Sequence, residues 1–165
     1  MKCPVALGLA VGGVALLGLS ALPTPRPWLV WNPSASAPIG LYRVVAGPVG
    51  RGDWVLVRPP EDVAELAAAR GYLPLGVPLV KRVAARAGDT VCARKGALFI
   101  NGQEVARPLV WDRAGRPMLR WSGCRSLGAE ELFLLLPPPD SFDSRYFGPV
   151  PRTLVIGRLA PLWTS

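Results

Sequence analysis

The sequence predicts a mainly β fold: a β-rich domain with one short soluble helix, preceded by an N-terminal transmembrane helix. Three observations carry that prediction. Residues 4–22, PVALGLAVGGVALLGLSAL, contain no charge. Beyond them, short apolar runs rich in Val, Leu and Ile recur between turn residues. The 19 prolines and 18 glycines are spread among those runs rather than gathered into a linker, which punctuates strands and gives irregular connections. At 165 residues the chain has room for one domain with a core. The division is therefore residues 1–22 as a membrane anchor or signal segment and residues 23–165 as a β-rich domain.

Each element has a local reason. As a helix, residues 4–22 nearly span the hydrocarbon core of a bilayer; they are a transmembrane anchor or a long signal peptide, with Gly18 and Ser20 as a small-residue cleavage pattern. Lys2 and the α-amino group stay on the cytoplasmic side, and everything after Pro23 lies outside the cytoplasm. In the proline-broken PTPRPWLVWNP, Trp28 and Trp31 suit a membrane–water interface, or else belong to the core. Strands are predicted over 40–45, 53–59, 78–85, 89–94, 97–105, 131–137 and 153–159. Asn101-Gly102 favours a type I′ turn and folds 97–105 into a hairpin. Residues 60–72 open on Pro and acids and end at Gly71, the pattern of a helix.

Composition excludes several functions. The net charge of +8 comes mainly from arginines interrupted by apolar residues, Pro and Gly, which fits a GC-rich coding bias, or attraction to anionic lipid headgroups, better than a nucleic-acid patch. No helix-turn-helix, zinc-finger or RNA-recognition signature is present, so no nucleic-acid partner is expected. Histidine is absent, which removes the usual general base, the usual zinc ligand and the Ser-His-Asp arrangement. The three cysteines are too far apart for a redox pair or a metal knuckle. Cys92 and Cys124 either form a disulfide in an exported domain or stay as buried thiols. Neither a cofactor nor a metal is expected.

Three segments carry candidate chemistry. In WNPSASAPIGLY (31–42), Ser34 and Ser36 alternate with alanines that leave a hydroxyl accessible and let a substrate backbone approach; the same pattern also makes an ordinary loop. In LVKRVAARAGD (79–89), Lys81 is one of three lysines in a chain that otherwise uses sixteen arginines. A lysine in an apolar strand loses hydration, its pKa falls, and it can serve as a neutral general base, which an arginine cannot; a lysine guarding a strand edge is the plain alternative. In PPPDSFDSRYFGPV (137–150), Ser141 can hydrogen-bond a lysine amine, while Asp143 and Arg145 can pair, within the site or as a surface salt bridge.

In that order behind one apolar segment, Ser-x-Ser-x-Pro, Lys-Arg-Val with Ala-Gly-Asp, and Ser-x-Asp-Ser-Arg-Tyr-aromatic-Gly resemble the signal peptidase I superfamily of membrane-bound serine/lysine endopeptidases. The resemblance covers about residues 28–160. The alternation of Asn32, Ser34, Ser36, Pro38, Gly40 and Tyr42 is similar to the TraF-type conjugative transfer signal peptidases. It implies a signal-peptidase/LexA-like β-rich catalytic domain in which Ser36 is the nucleophile and Lys81 the general base. Ser34 would help form an oxyanion hole with the backbone N–H of Ser36, and Ser141 would orient the lysine amine on a loop supported by Asp143 and Arg145. Two departures stand out: one residue rather than two separates Ser36 from its proline, and Leu136 with prolines 137–139 replaces the family's polar lead-in to the third motif.

The implied role is removal of signal or leader sequences, chiefly maturation of a pre-pilin for a conjugative or type IV secretion apparatus. The implied location is the bacterial inner membrane, single-pass and in contact with lipid, with the catalytic domain on the periplasmic side. A general signal peptidase for exported proteins, or a non-catalytic envelope or pilus-assembly subunit on the same fold, are the alternatives.

Overall fold

The computed structural model describes residues 27–165. The anchor or signal segment expected over 4–22 lies outside the described residues, and among those described no helix is long and apolar enough to cross a membrane. Eleven strands and two α-helices follow in chain order among the described residues: β1 (Leu29–Asn32), β2 (Gly40–Val45), β3 (Trp54–Val57), α1 (Glu61–Ala69), β4 (Leu79–Ala85), β5 (Thr90–Arg94), β6 (Ala97–Ile100), β7 (Gln103–Ala106), β8 (Gly123–Ser126), β9 (Glu131–Leu135), α2 (Ser144–Phe147), β10 (Val150–Pro151) and β11 (Val155–Thr164). The fold is mainly β with few helices.

The strands form two antiparallel sheets. One has seven strands in the order β1-β2-β11-β3-β4-β9-β10; the other has four, in the order β7-β6-β5-β8. Alternation along each strand decides which face is buried. On β4, Lys81, Val83 and Ala85 are buried while Arg82 between them is exposed. Val55, Val57, Val83, Leu132, Leu134 and Val150 build the main core of the large sheet. A second core, of Ala85, Val91, Leu98, Ile100, Leu127 and Phe133, joins the β4–β9 end of that sheet to the small one.

Local chemistry explains the turns. Asn101 and Gly102 both have positive φ, at 51° and 83°, as a type I′ hairpin between β6 and β7 requires. Cys92 and Cys124 lie directly opposite each other on β5 and β8 and are joined as a disulfide. That bond secures a strand whose four residues are all exposed and which has little burial of its own to hold it.

The structure corrects the sequence reading in several places. The helix expected over 60–72 spans Glu61–Ala69. The strand expected from 153 begins with a 3-10 turn at Arg152–Leu154 and then runs on to Thr164. A second helix, α2, breaks the expectation of one: Asp143 caps its N-terminus by accepting from the Arg145 backbone N–H. Strands β1, β8 and β10 were not expected either. Trp28 and Trp31 are not core residues, since they are 83% and 52% exposed.

Candidate active site

Ser34 and Ser36 sit in the loop that closes β1 onto β2, where Asn32 pairs with Gly40. The two hydroxyl oxygens are 2.7 Å apart and share a hydrogen bond. The Ser36 backbone N–H donates to Ser34 Oγ at 3.3 Å, so in this structure the N–H expected to face an oxyanion is covered by the neighbouring serine. Ser36 is half-buried and Ser34 exposed.

The frame of this loop is a residue to which the sequence reading gave no role. Asn32 is buried, and its amide nitrogen faces the carbonyl oxygens of Ser34, Pro38 and Ala37 at 2.9, 3.1 and 3.2 Å. Its amide oxygen accepts from the Ser34 backbone N–H. The fully buried Tyr42 donates its hydroxyl to Pro38 O at 2.6 Å. The one available signal was the Asn-Pro-Ser order, because asparagine readily bonds the backbone two residues on.

Lys81 projects from β4 opposite Val55 of β3, on the same buried face as Val83. It is 3% exposed, and its ammonium donates to Ser141 Oγ at 2.9 Å. Burial, which disfavours the charged form, pushes its pKa down to about 8; the Asp143 carboxylate pulls it up and the Arg145 guanidinium pushes it further down. At neutral pH about one molecule in ten then holds a neutral amine, far more than for a solvated lysine.

Ser141 is held by the segment around it. Asp143 and Arg145 form a buried bidentate pair, Nε to Oδ1 at 2.8 Å and Nη2 to Oδ2 at 3.0 Å. Arg145 also donates to Leu136 O, Asp143 accepts from Leu136 N at 3.0 Å, and Ser144 Oγ accepts from Leu134 N. A buried ion pair is tolerable only when its remaining polar atoms are bonded, and here the extra bonds tie the loop to the end of β9. This rules out the surface salt bridge as the description of 143 and 145. Phe142, next to Ser141, packs against Tyr72, Phe147 and Tyr146 with centroids 5.3, 5.5 and 6.1 Å away.

The structure thus brings together Ser34 with Ser36, and Lys81 with Ser141, Asp143 and Arg145. Among the described residues, the side-chain hydrogen bonds of Ser36 and of Lys81 run within these two groups. Among the same residues, no group of His, Cys, Asp and Glu is arranged to hold a metal.

Comparison with known proteins gives this constellation a family. The family described as "Signal peptidase, peptidase S26" matches residues 3–163. The plasmid transfer protein TraF of Escherichia coli is 34% identical over 171 aligned positions, covering 97% of this chain and 96% of that protein. The conjugal transfer protein TraF of Agrobacterium fabrum is 35% identical, covering 94% of this chain and 93% of the relative. A crystal structure of a signal peptidase I from Enterococcus faecalis overlaps 70% of this chain and all of that one, at 22% identity and a TM-score of 0.41. With the family match running from residue 3 to residue 163 and TraF relatives above 30% identity along nearly their whole length, the chain belongs to the peptidase S26 signal peptidase family.

Proposed function

We propose that the protein is a membrane-anchored serine endopeptidase that removes leader sequences by a Ser36/Lys81 dyad, and that its substrate is the pre-pilin of a conjugative or type IV secretion apparatus. The observation that carries this reading is Lys81: a buried lysine whose amine is bonded to Ser141 and whose pKa is lowered to about 8. The names of the TraF relatives supply the conjugative context.

In the mechanism, neutral Lys81 takes the Ser36 proton as Oγ attacks the scissile carbonyl carbon, and the C–N bond breaks as the lysine returns that proton to the leaving amine. Water, activated by the same amine, then releases the acyl group. The oxyanion is held by the Ser36 N–H and the Ser34 hydroxyl. Both must turn from their present bond with each other toward the substrate, so the arriving carbonyl replaces a contact already satisfied in the resting site. Ser141 accepts from the ammonium form of Lys81 and keeps the amine aimed as its charge changes. The substrate's own apolar segment would lie in the bilayer beside residues 4–22, which places the scissile bond near the outer membrane surface.

The test is cleavage of a co-expressed pre-pilin in membranes by wild type, Ser36→Ala, Ser34→Ala and Lys81→Arg at matched protein levels. The reading expects no product from Ser36→Ala or Lys81→Arg and slowed cleavage by Ser34→Ala. Wild-type cleavage by all three would sink it.

A further inference from the structure

The loop that holds the two serines contains little regular structure, yet its hydrogen bonds converge on one side chain. Between the paired residues Asn32 and Gly40, the backbone turns once, with Ala37 N reaching Ser34 O at a long 3.4 Å. That contact is too weak to define where the Ser36 hydroxyl stands. The buried amide of Asn32 supplies what the backbone lacks: two N–H hydrogens shared among the carbonyls of Ser34, Ala37 and Pro38, and an oxygen for the Ser34 N–H. Those contacts bracket Ser36 from both sides in the chain. Tyr42 fixes the outgoing end by its bond to Pro38 O.

We propose that Asn32 is the positioning residue of the nucleophile loop, with Tyr42 as its second support. It touches neither Lys81 nor Ser141; it acts by fixing the backbone on either side of Ser36, so that the Ser34 and Ser36 hydroxyls stay in register with an attacked carbonyl. This rests on the serine peptidase reading above. An amide is required because the loop presents three inward carbonyls and one inward N–H to a single side chain, and among side chains of this size only asparagine carries donors and an acceptor together. Aspartate has the same shape but would set a carboxylate against three carbonyl oxygens. A misplacement of about an ångström at a reacting atom can cost roughly a hundredfold in rate.

The experiment compares wild type, Asn32→Asp, Tyr42→Phe and Ser36→Ala as purified full-length chains in detergent, with a pre-pilin as substrate and circular dichroism to establish folding. Expected for folded Asn32→Asp is a kcat at least tenfold lower with KM within twofold of wild type. Tyr42→Phe, which deletes one hydroxyl, is expected to lose about threefold to tenfold in kcat, again with KM unchanged and with the acid limb of the pH profile in place, since Lys81 is untouched. A general loosening of the fold would instead shift that limb or raise KM. The proposal is overturned if folded Asn32→Asp keeps kcat within twofold, or if its loss lies in KM. If Asn32→Asp does not fold, Tyr42→Phe decides alone: an unchanged kcat overturns the proposal. Ser36→Ala separates the two levels, because full activity there removes the serine-nucleophile reading itself, whereas an inactive Ser36→Ala beside a fully active Asn32→Asp removes only the role of Asn32.

Discussion

Lys81 makes opposite demands on stability and on activity. Its pKa falls from 10.5 to about 8 on folding, so the folded chain resists protonation that the unfolded chain accepts. The penalty is therefore fully present below about pH 8 and fades as pH rises toward 10.5. At about 1.4 kcal/mol per factor of ten, it is about 3 kcal/mol. Replacing the lysine by methionine should abolish cleavage yet raise the melting temperature at pH 7, with the gain shrinking as the pH is raised through 8 to 10; thermal melts across that range check it. For the wild type, kcat/KM should climb tenfold per pH unit below about 8 and level off above, because the base we propose is the neutral amine. The position was legible in the sequence because a chain so rich in arginine had kept a lysine in an apolar strand. Asn32 was not, because its importance lies in how the loop turns the carbonyls of Ser34, Ala37 and Pro38 inward onto it.

At the scale of elements, one close approach backs the serine loop and one covalent bond holds the small sheet. Gly40 begins β2 with φ of 151°, and a Cβ there would stand 2.0 Å from the Trp163 carbonyl oxygen of β11. No real contact is that short, and the obstacle is backbone. Gly40→Ala should therefore destabilise by more than about 3 kcal/mol, read as a fall in the urea midpoint or as loss of soluble protein. The disulfide closes a separation of 32 residues, a loop for which the chain-entropy argument gives about 3–4 kcal/mol. Reduction should destabilise the fold by a comparable free energy, read as a lower melting temperature, and Cys92→Ser with Cys124→Ser should match the reduced protein. Strands β2 to β7 and β9 were readable because their apolar residues alternate or run together between turn signals. The four exposed residues of β8 give no such pattern; its place is fixed by its neighbour and by Cys124. Helix α2 is one turn, too short for any helical period to show.

On the whole molecule, one group of exposed apolar residues lies around the β1–β2–β11 end of the large sheet. Trp28, Leu29 and Trp31 on or beside β1, Ile39 before β2, and Leu162 and Trp163 at the end of β11 are all exposed. The Trp31 and Trp163 rings lie 6.0 Å apart. Tryptophans at this density favour a water–lipid boundary, and the net charge of +8 adds attraction to anionic headgroups. A version lacking residues 1–22 should sediment with vesicles containing phosphatidylglycerol, and the combined Trp28→Ser, Trp31→Ser and Trp163→Ser change should reduce that binding at least tenfold. Equal binding by both would separate this face from the membrane.

The union of β2 with β11 also orders events during synthesis. The far flank of the serine loop is closed by the last strand: Ser165 N bonds Ile39 O, a contact spanning 126 residues of chain. At ordinary rates of translation, roughly ten seconds separate the appearance of Ile39 from that of its partner. During that interval the serine loop lacks its outer wall. The loop that holds Ser34 and Ser36 therefore takes its final shape only once β11 has been made.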